Sequence, residues 1–241
     1  MESPFVVLFE DNHCLAVAKP APLLTQGVPA DSPGGRIPTL EALAKDYLKQ
    51  RYHKKGNVYL GIPHRLDRPV SGVVLFARNT KAARRLAEQF QNHQVAKIYW
   101  AAVEGHVEPP EGVWTDWLRK IQDEARSERV VADADGARFA LLRYRRLGES
   151  NDCTLVELQP KTGRMHQIRV QAAVRGHPVR GDILYGSRLP FGPPAERPRD
   201  RVIALHARQL TFLHPIRYEP MTLVAPLPES WSELGFSLPM S

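Results

Sequence analysis

HRLDRPVSGVVLFA, residues 64–77, is the stretch around which the rest of the sequence is organised. Its charged tetrapeptide ends in Asp67, is flanked by glycine and proline turn signals, and precedes a buried strand from Val73 to Ala77. This layout places a carboxylate on a loop that a rigid strand supports, as is common for catalytic side chains. The cationic neighbours Arg65 and Arg68 favour the ionised carboxylate, which can act as a nucleophile or a base.

From spacing alone, an aspartate between two arginines is more often half of a loop salt bridge than a catalyst. Further sequence motifs bear on the choice between a salt bridge and a catalytic aspartate. They are K-P-A at 19–21, K-I-Y-W-A-A-V at 97–103, T-G-R-M-H-Q-I-R-V at 162–170, G-H-P-V-R-G-D-I-L-Y-G at 176–186 and L-H-A at 205–207. With residues 64–77 they resemble, in order, the RluA-type family of RNA pseudouridine synthases. Val70 stands where that signature has threonine.

The resemblance implies an enzyme that isomerises a specific uridine of structured RNA, ribosomal or transfer, to pseudouridine without a cofactor. It implies that Asp67 is catalytic, either attacking C1′ of the ribose or removing a proton from C2′. Arg169 is expected to engage Asp67, because a charge beside buried positions needs an opposite charge. Tyr99 is expected to lie against the target base.

The remaining candidate residues concern the RNA. A uridine inside folded RNA must be extruded before chemistry, and a planar guanidinium at Arg65 can stack where the base had been. A helix predicted to begin after Gly163 places His166 and Arg169 on one face at i and i+3. The residues expected to bind RNA or the base are Arg65, His64, Arg164, His166 and Leu205.

Length, composition and charge limit the number of domains and indicate the kind of binding partner. The 241 residues, 43% of them hydrophobic, suit one substantial core. We therefore expect residues 1–241 to form a single catalytic domain without a separate N-terminal RNA-binding domain. The formal charge of +7 and the pI near 9.6 favour an anionic partner, with nucleic acid the default.

We expect a cytoplasmic protein that is a monomer and needs no metal. Cys14 and Cys153 stand alone in strand-like settings, which predicts reduced, buried thiols. The N-terminus has neither the basic lead of a signal peptide nor an apolar run long enough to span a membrane.

The pattern of elements predicts an α+β protein with a mixed, largely antiparallel sheet, flanking helices and a central cleft. Hairpins are expected at 5–18 and 138–158, and helices after Pro38 and Asn79. A loop is expected from Pro20 to Pro38, and a surface loop over 187–201. Residues 104–136 suggest a strand edge and a loop, while the glycines and proline of 176–186 predict an ordered turn.

Two rivals remain. One is a catalytically inactive RNA-binding module with the same fold, against which the retention of Asp67, Tyr99 and Arg169 argues. The other is a histidine-rich metallohydrolase, but the nine histidines show no ligand spacing such as HExxH.

Overall fold

The computed structural model describes residues 5–27 and 38–236, which fall into two compact units. The first comprises Met1–Val95 and Ala207–Pro226, and the second comprises Ala96–His206 and Leu227–Ser241. Residues 28–37 of the predicted loop lie outside the described residues. The prediction of one catalytic domain stays a prediction, as does that of a central cleft.

Within its described residues, the first unit is a sheet with two helices. Its strand order is β1-β2-β3-β9, and β10 pairs with β9, whose first two residues belong to the second unit. The strands are β1 (Val6–Glu10), β2 (Cys14–Lys19), β3 (Ser71–Ala77), β9 (Leu205–Leu213) and β10 (Pro220–Val224). The helices α1 (Leu40–Arg51) and α2 (Thr80–Gln91) begin where Thr39 and Asn79 accept a backbone N–H with their side chains.

Strand β3 explains why residues 64–77 decide the fold of this unit. All seven of its residues are buried, as expected of a continuous apolar run in the middle of a sheet. Gly72, the second residue of the strand, has a φ of +121°, and a Cβ there would lie 2.3 Å from the backbone oxygen of Ala207. Only glycine fits this close approach of two backbones.

The second unit, in the part that the structure describes, is an antiparallel sheet with one short α-helix. Its strand order is β4-β8-β7-β5-β6. The strands are β4 (Ala96–Glu104), β5 (Glu111–Lys120), β6 (Ser127–Val130), β7 (Arg138–Glu149) and β8 (Cys153–Pro160). The helix is α3 (Gln167–Ala173), and short 3-10 helices lie at Ile183–Tyr185, Pro198–Asp200 and Glu229–Leu234.

The α+β class, both hairpins, the two capped helices and the free, buried cysteines are confirmed. The helix predicted after Gly163 is wrong in its start, because His166 adopts a left-handed φ of 54° and α3 begins one residue later. The region 104–136 holds two full strands, β5 and β6, more order than the sequence predicted. No helix among the described residues is long and apolar enough to cross a membrane.

Candidate active site

The loop that carries Asp67 is fixed through its backbone. Leu66 is buried, and its N–H and C=O both bond the hydroxyl of Thr25, at 3.1 and 2.9 Å. The N–H of Val70 donates to the C=O of Asp67 at 3.1 Å. The carboxyl-bearing residue is therefore held on both sides, while its side chain stays half-buried.

A buried lysine also supports the Asp67 loop. The ammonium of Lys19 donates to the carbonyl oxygens of Leu23, Pro20 and Arg68 at 2.6, 3.1 and 3.2 Å, and the residue is 1% exposed. Burial lowers the pKa of Lys19 to about 7; the charge of Asp67 raises it and that of Arg68 lowers it further. Lys19 thus anchors the loop and lies within electrostatic reach of Asp67.

The first residue of the tetrapeptide faces the interior of its unit. His64 Nε2 accepts the N–H of Leu75 at 3.0 Å, and its ring stacks on Phe90 at 4.6 Å between centroids and 14° between planes. These contacts fasten the loop to β3 and α2. Arg65 is exposed. The structure therefore gives His64 a positioning part, and its contact with RNA stays a prediction.

Arg169, on α3, has a partner that sequence reasoning missed. Its Nε and Nη2 donate to the two carboxylate oxygens of Asp182 at 2.6 and 2.8 Å, and the side chains are 5% and 1% exposed. The guanidinium carbon lies 4.9 Å from the ring centroid of Tyr185. A bidentate pair of this kind fixes the plane of a guanidinium as well as its position. The expected pairing with Asp67 stays a prediction.

Tyr185 contacts both His166 and the Arg169 guanidinium. Its hydroxyl lies 2.8 Å from His166 Nδ1 and accepts the N–H of Ser127 at 3.0 Å. His166 and Arg169 were expected to share a helical face, and the structure brings them together through Tyr185 instead. The turn at 176–186 is thus ordered, as predicted, and it also supplies Asp182 and Tyr185 to the site.

Buried amides fasten α3 to the sheet. Gln167 Nε2 donates to Gln171 Oε1 at 3.1 Å, and Gln171 Nε2 donates to Asp116 Oδ2 at 2.7 Å. Arg175 donates to the same carboxylate oxygen at 2.8 Å. The position of Arg169 therefore depends on side chains of β5, and the sequence carries no local sign of this network.

The other candidates lie elsewhere in the second unit. Tyr99 is half-buried on β4, opposite Leu158 of β8. The Nε of Arg164 donates to the C=O of Phe139 at 2.9 Å, and Leu205, at the start of β9, is buried. Of the eight candidates, the structure joins His166 to Arg169 by shared contacts, while His64, Arg65 and Asp67 share one loop.

One cluster has the composition of a metal site. Ligand atoms of Asp11, Cys14 and His214 lie within 4.8 Å of one another. However, Asp11 accepts bonds from His214 Nε2 at 2.8 Å and from the Arg217 guanidinium at 3.1 Å, which repels a cation. Burial raises the pKa of the Cys14 thiol to about 12, so the thiol is neutral in this structure. The cluster is better suited to joining the turns of two hairpins.

Comparison with known proteins agrees with this fold. A family model of RNA pseudouridylate synthases matches residues 13–174. Over 234 residues the chain is 38% identical to an uncharacterized RNA pseudouridine synthase of Zymomonas mobilis, covering 95% of this chain and 97% of that one. It is 33% identical over 227 residues to the dual-specificity RNA pseudouridine synthase RluA of Vibrio vulnificus, covering 91% and 82%.

A solved structure shows the same fold. The human RNA pseudouridylate synthase domain containing 4 superposes with a TM-score of 0.78 at 25% identity, covering 98% of this chain and 95% of that one. The family match spans the Asp67 loop, Tyr99 and Arg169. On these grounds the chain belongs to the RluA-type family of RNA pseudouridine synthases.

Proposed function

We propose that this RNA pseudouridine synthase isomerises a uridine of structured ribosomal or transfer RNA, with Asp67 as its catalytic carboxylate. The observation that carries the proposal is the Asp67 loop, whose backbone is fixed through Thr25 and Lys19 while the carboxylate side chain is half-buried. Catalysis requires reacting groups to be held in place before substrate arrives, and such a loop meets that requirement.

The reaction breaks the N1–C1′ bond of uridine, turns the base and joins C5 to the same sugar carbon. Asp67 either attacks C1′ as a nucleophile or removes a proton from C2′. In this proposal Arg169 orients Asp67, and the bidentate contact with Asp182 fixes the guanidinium for that task. Tyr99 stacks on the detached uracil and assists the departure of the C5 proton.

RNA recognition is assigned to the remaining candidates. Arg65 is exposed and takes the space left by the extruded base. Arg164, His166 and Leu205 contact the RNA or the base, while His64 supports the loop. We further propose that the protein acts in the cytoplasm as a monomer without metal, which gel filtration and insensitivity of activity to chelators test.

Tritium release tests the role of Asp67. Bulk RNA carrying tritium at C5 of uridine, from cells that lack the protein, loses this label when C5 bonds to carbon. We expect release by the wild type and a loss of about 10³-fold or more in Asp67→Asn. Asp46→Asn, an exposed aspartate of α1, is the matched control and should behave as wild type.

Carbodiimide mapping of the same RNA then identifies the molecule and the uridine. Equal release by Asp67→Asn and wild type refutes the catalytic role of Asp67. If the folded wild type binds RNA but releases no label from any of it, the inactive RNA-binding module is the better description.

A further inference from the structure

Lys97 is a half-buried cation that has no acidic partner among the described residues. It lies on β4, two residues before Tyr99, and side chains two residues apart on a strand point to the same face. Burial alone lowers the pKa of its ammonium, with no opposing charge. Within residues 5–27 and 38–236, no hydrogen bond or ion pair is made by Lys97 Nζ.

Lys19, which is buried beside the Asp67 loop, provides the comparison for Lys97. Lys19 loses its hydration too, but it gains three carbonyl acceptors in return. An ammonium that gives up water without gaining a partner costs free energy, and folded proteins seldom keep such a group without use. Lys97 therefore suits an anion that arrives from outside the chain.

The surroundings of Lys97 indicate the kind of anion. A Cβ built on Gly163 would lie 3.8 Å from Lys97 Nζ, so the ammonium sits beside a residue that offers it no side chain. The same turn carries Lys161 and Arg164, and no acidic residue occurs from Lys161 to Arg180. Such a concentration of positive charge matches a phosphodiester, the repeating anion of RNA.

We propose that Lys97 binds a backbone phosphate of the substrate RNA beside the base that Tyr99 contacts. The inference rests on the proposed function, since it takes Tyr99 to lie at the target nucleotide. It adds a phosphate-binding residue to that site. This contact does not depend on the RNA sequence. It fixes the position of the RNA strand along the site and does not distinguish one base from another.

Binding measured against salt tests the proposal. The probe is a fluorescein-labelled 17-nucleotide stem-loop with an all-uridine loop, titrated with protein at several KCl concentrations. Because each phosphate contact releases counterions, Lys97→Met should lower the slope of log K against log salt by about 0.7–0.9. We expect its affinity to fall about tenfold, while Lys97→Arg keeps the slope.

Thermal melting separates binding from structure. Removing a dehydrated charge should leave the Tm of Lys97→Met at or above that of the wild type, whereas loss of a structural contact would lower it. Lys45→Met is the control, because Lys45 pairs with Glu41 on α1 and should not change RNA binding.

Wild-type affinity and slope in Lys97→Met would overturn the proposal. It is also overturned if Lys97→Met melts lower and Lys97→Arg fails to restore the slope. Because binding is measured without turnover, neither result depends on whether Asp67 is catalytic. A failure of tritium release in the wild type would instead count against the proposed function.

Discussion

Replacing Asp182 by asparagine tests whether the buried pair with Arg169 holds the site together. Asparagine keeps the shape but removes the charge, so of the two short bonds, at 2.6 and 2.8 Å, one meets an NH₂ group instead of an acceptor and the other keeps only a neutral acceptor. The partners are 5% and 1% exposed, so water cannot replace the lost contact. Removing one member of a buried pair costs about 3–5 kcal/mol.

That cost should be visible by melting. For a protein of this size, 1 kcal/mol shifts Tm by about 2–4 °C, which gives a decrease of roughly 6–20 °C for Asp182→Asn. The assay is circular dichroism melting combined with tritium release from uridine-labelled RNA. The matched control is Asp152→Asn, an exposed aspartate in the turn between β7 and β8, which should melt as wild type.

A double variant separates stability from positioning. Arg169→Met with Asp182→Leu replaces the buried pair by apolar groups and should recover most of the lost stability. It should remain inactive, because the proposed function assigns the orientation of Asp67 to the guanidinium that this variant lacks. The reasoning is refuted if Asp182→Asn melts within about 1 °C of the wild type and keeps its activity, since the pair would then contribute neither stability nor position.

Two further substitutions test the supports of the Asp67 loop. Gly72→Ala should cost at least about 1–3 kcal/mol of unfolding free energy, because it places a Cβ 2.3 Å from the Ala207 oxygen at a φ of +121°; urea unfolding measures this, and an unchanged midpoint would contradict it. For Lys19, the folded pKa of about 7 lies below the unfolded value, so the unfolded state binds more protons between about 7 and 10. Stability of the wild type should therefore rise by up to about 1.4 kcal/mol per pH unit in that window, and be lost as the pH falls through 7. The stability of Lys19→Met should not rise with pH in this way. Parallel plots of unfolding free energy against pH for the wild type and Lys19→Met would contradict the lowered pKa of Lys19.

Local patterns predicted the elements whose causes are local. The hairpin at β1 and β2 follows from two apolar runs around a polar turn, and α2 begins where Asn79 caps it. Strand β5 was less clear because Asp116 occupies its buried face among apolar residues. That aspartate is tolerated through Gln171 and Arg175, more than fifty positions later, which no local window can detect.

The site was predictable to a similar degree. Its motifs identified Asp67, Tyr99 and Arg169 as candidates, but the partners of those residues come from tertiary contacts. The start of α3 was misplaced because His166 takes a left-handed conformation, and the hydroxyl of Tyr185 contacts its ring. The spacing of Asp182 predicts only a turn, since it carries no sign that an arginine thirteen residues earlier pairs with this aspartate.

The shortness of α3 determines when the site can assemble during folding. A helix of seven residues is well below the length of about 12–15 at which isolated helices persist in water. Its amides bond Trp114 and Asp116, so it acquires its stability from a strand completed far earlier in the chain. Helix α3 should therefore form only after β5 has paired with β7. Arg169 and its pair with Asp182 should then form late on the folding pathway.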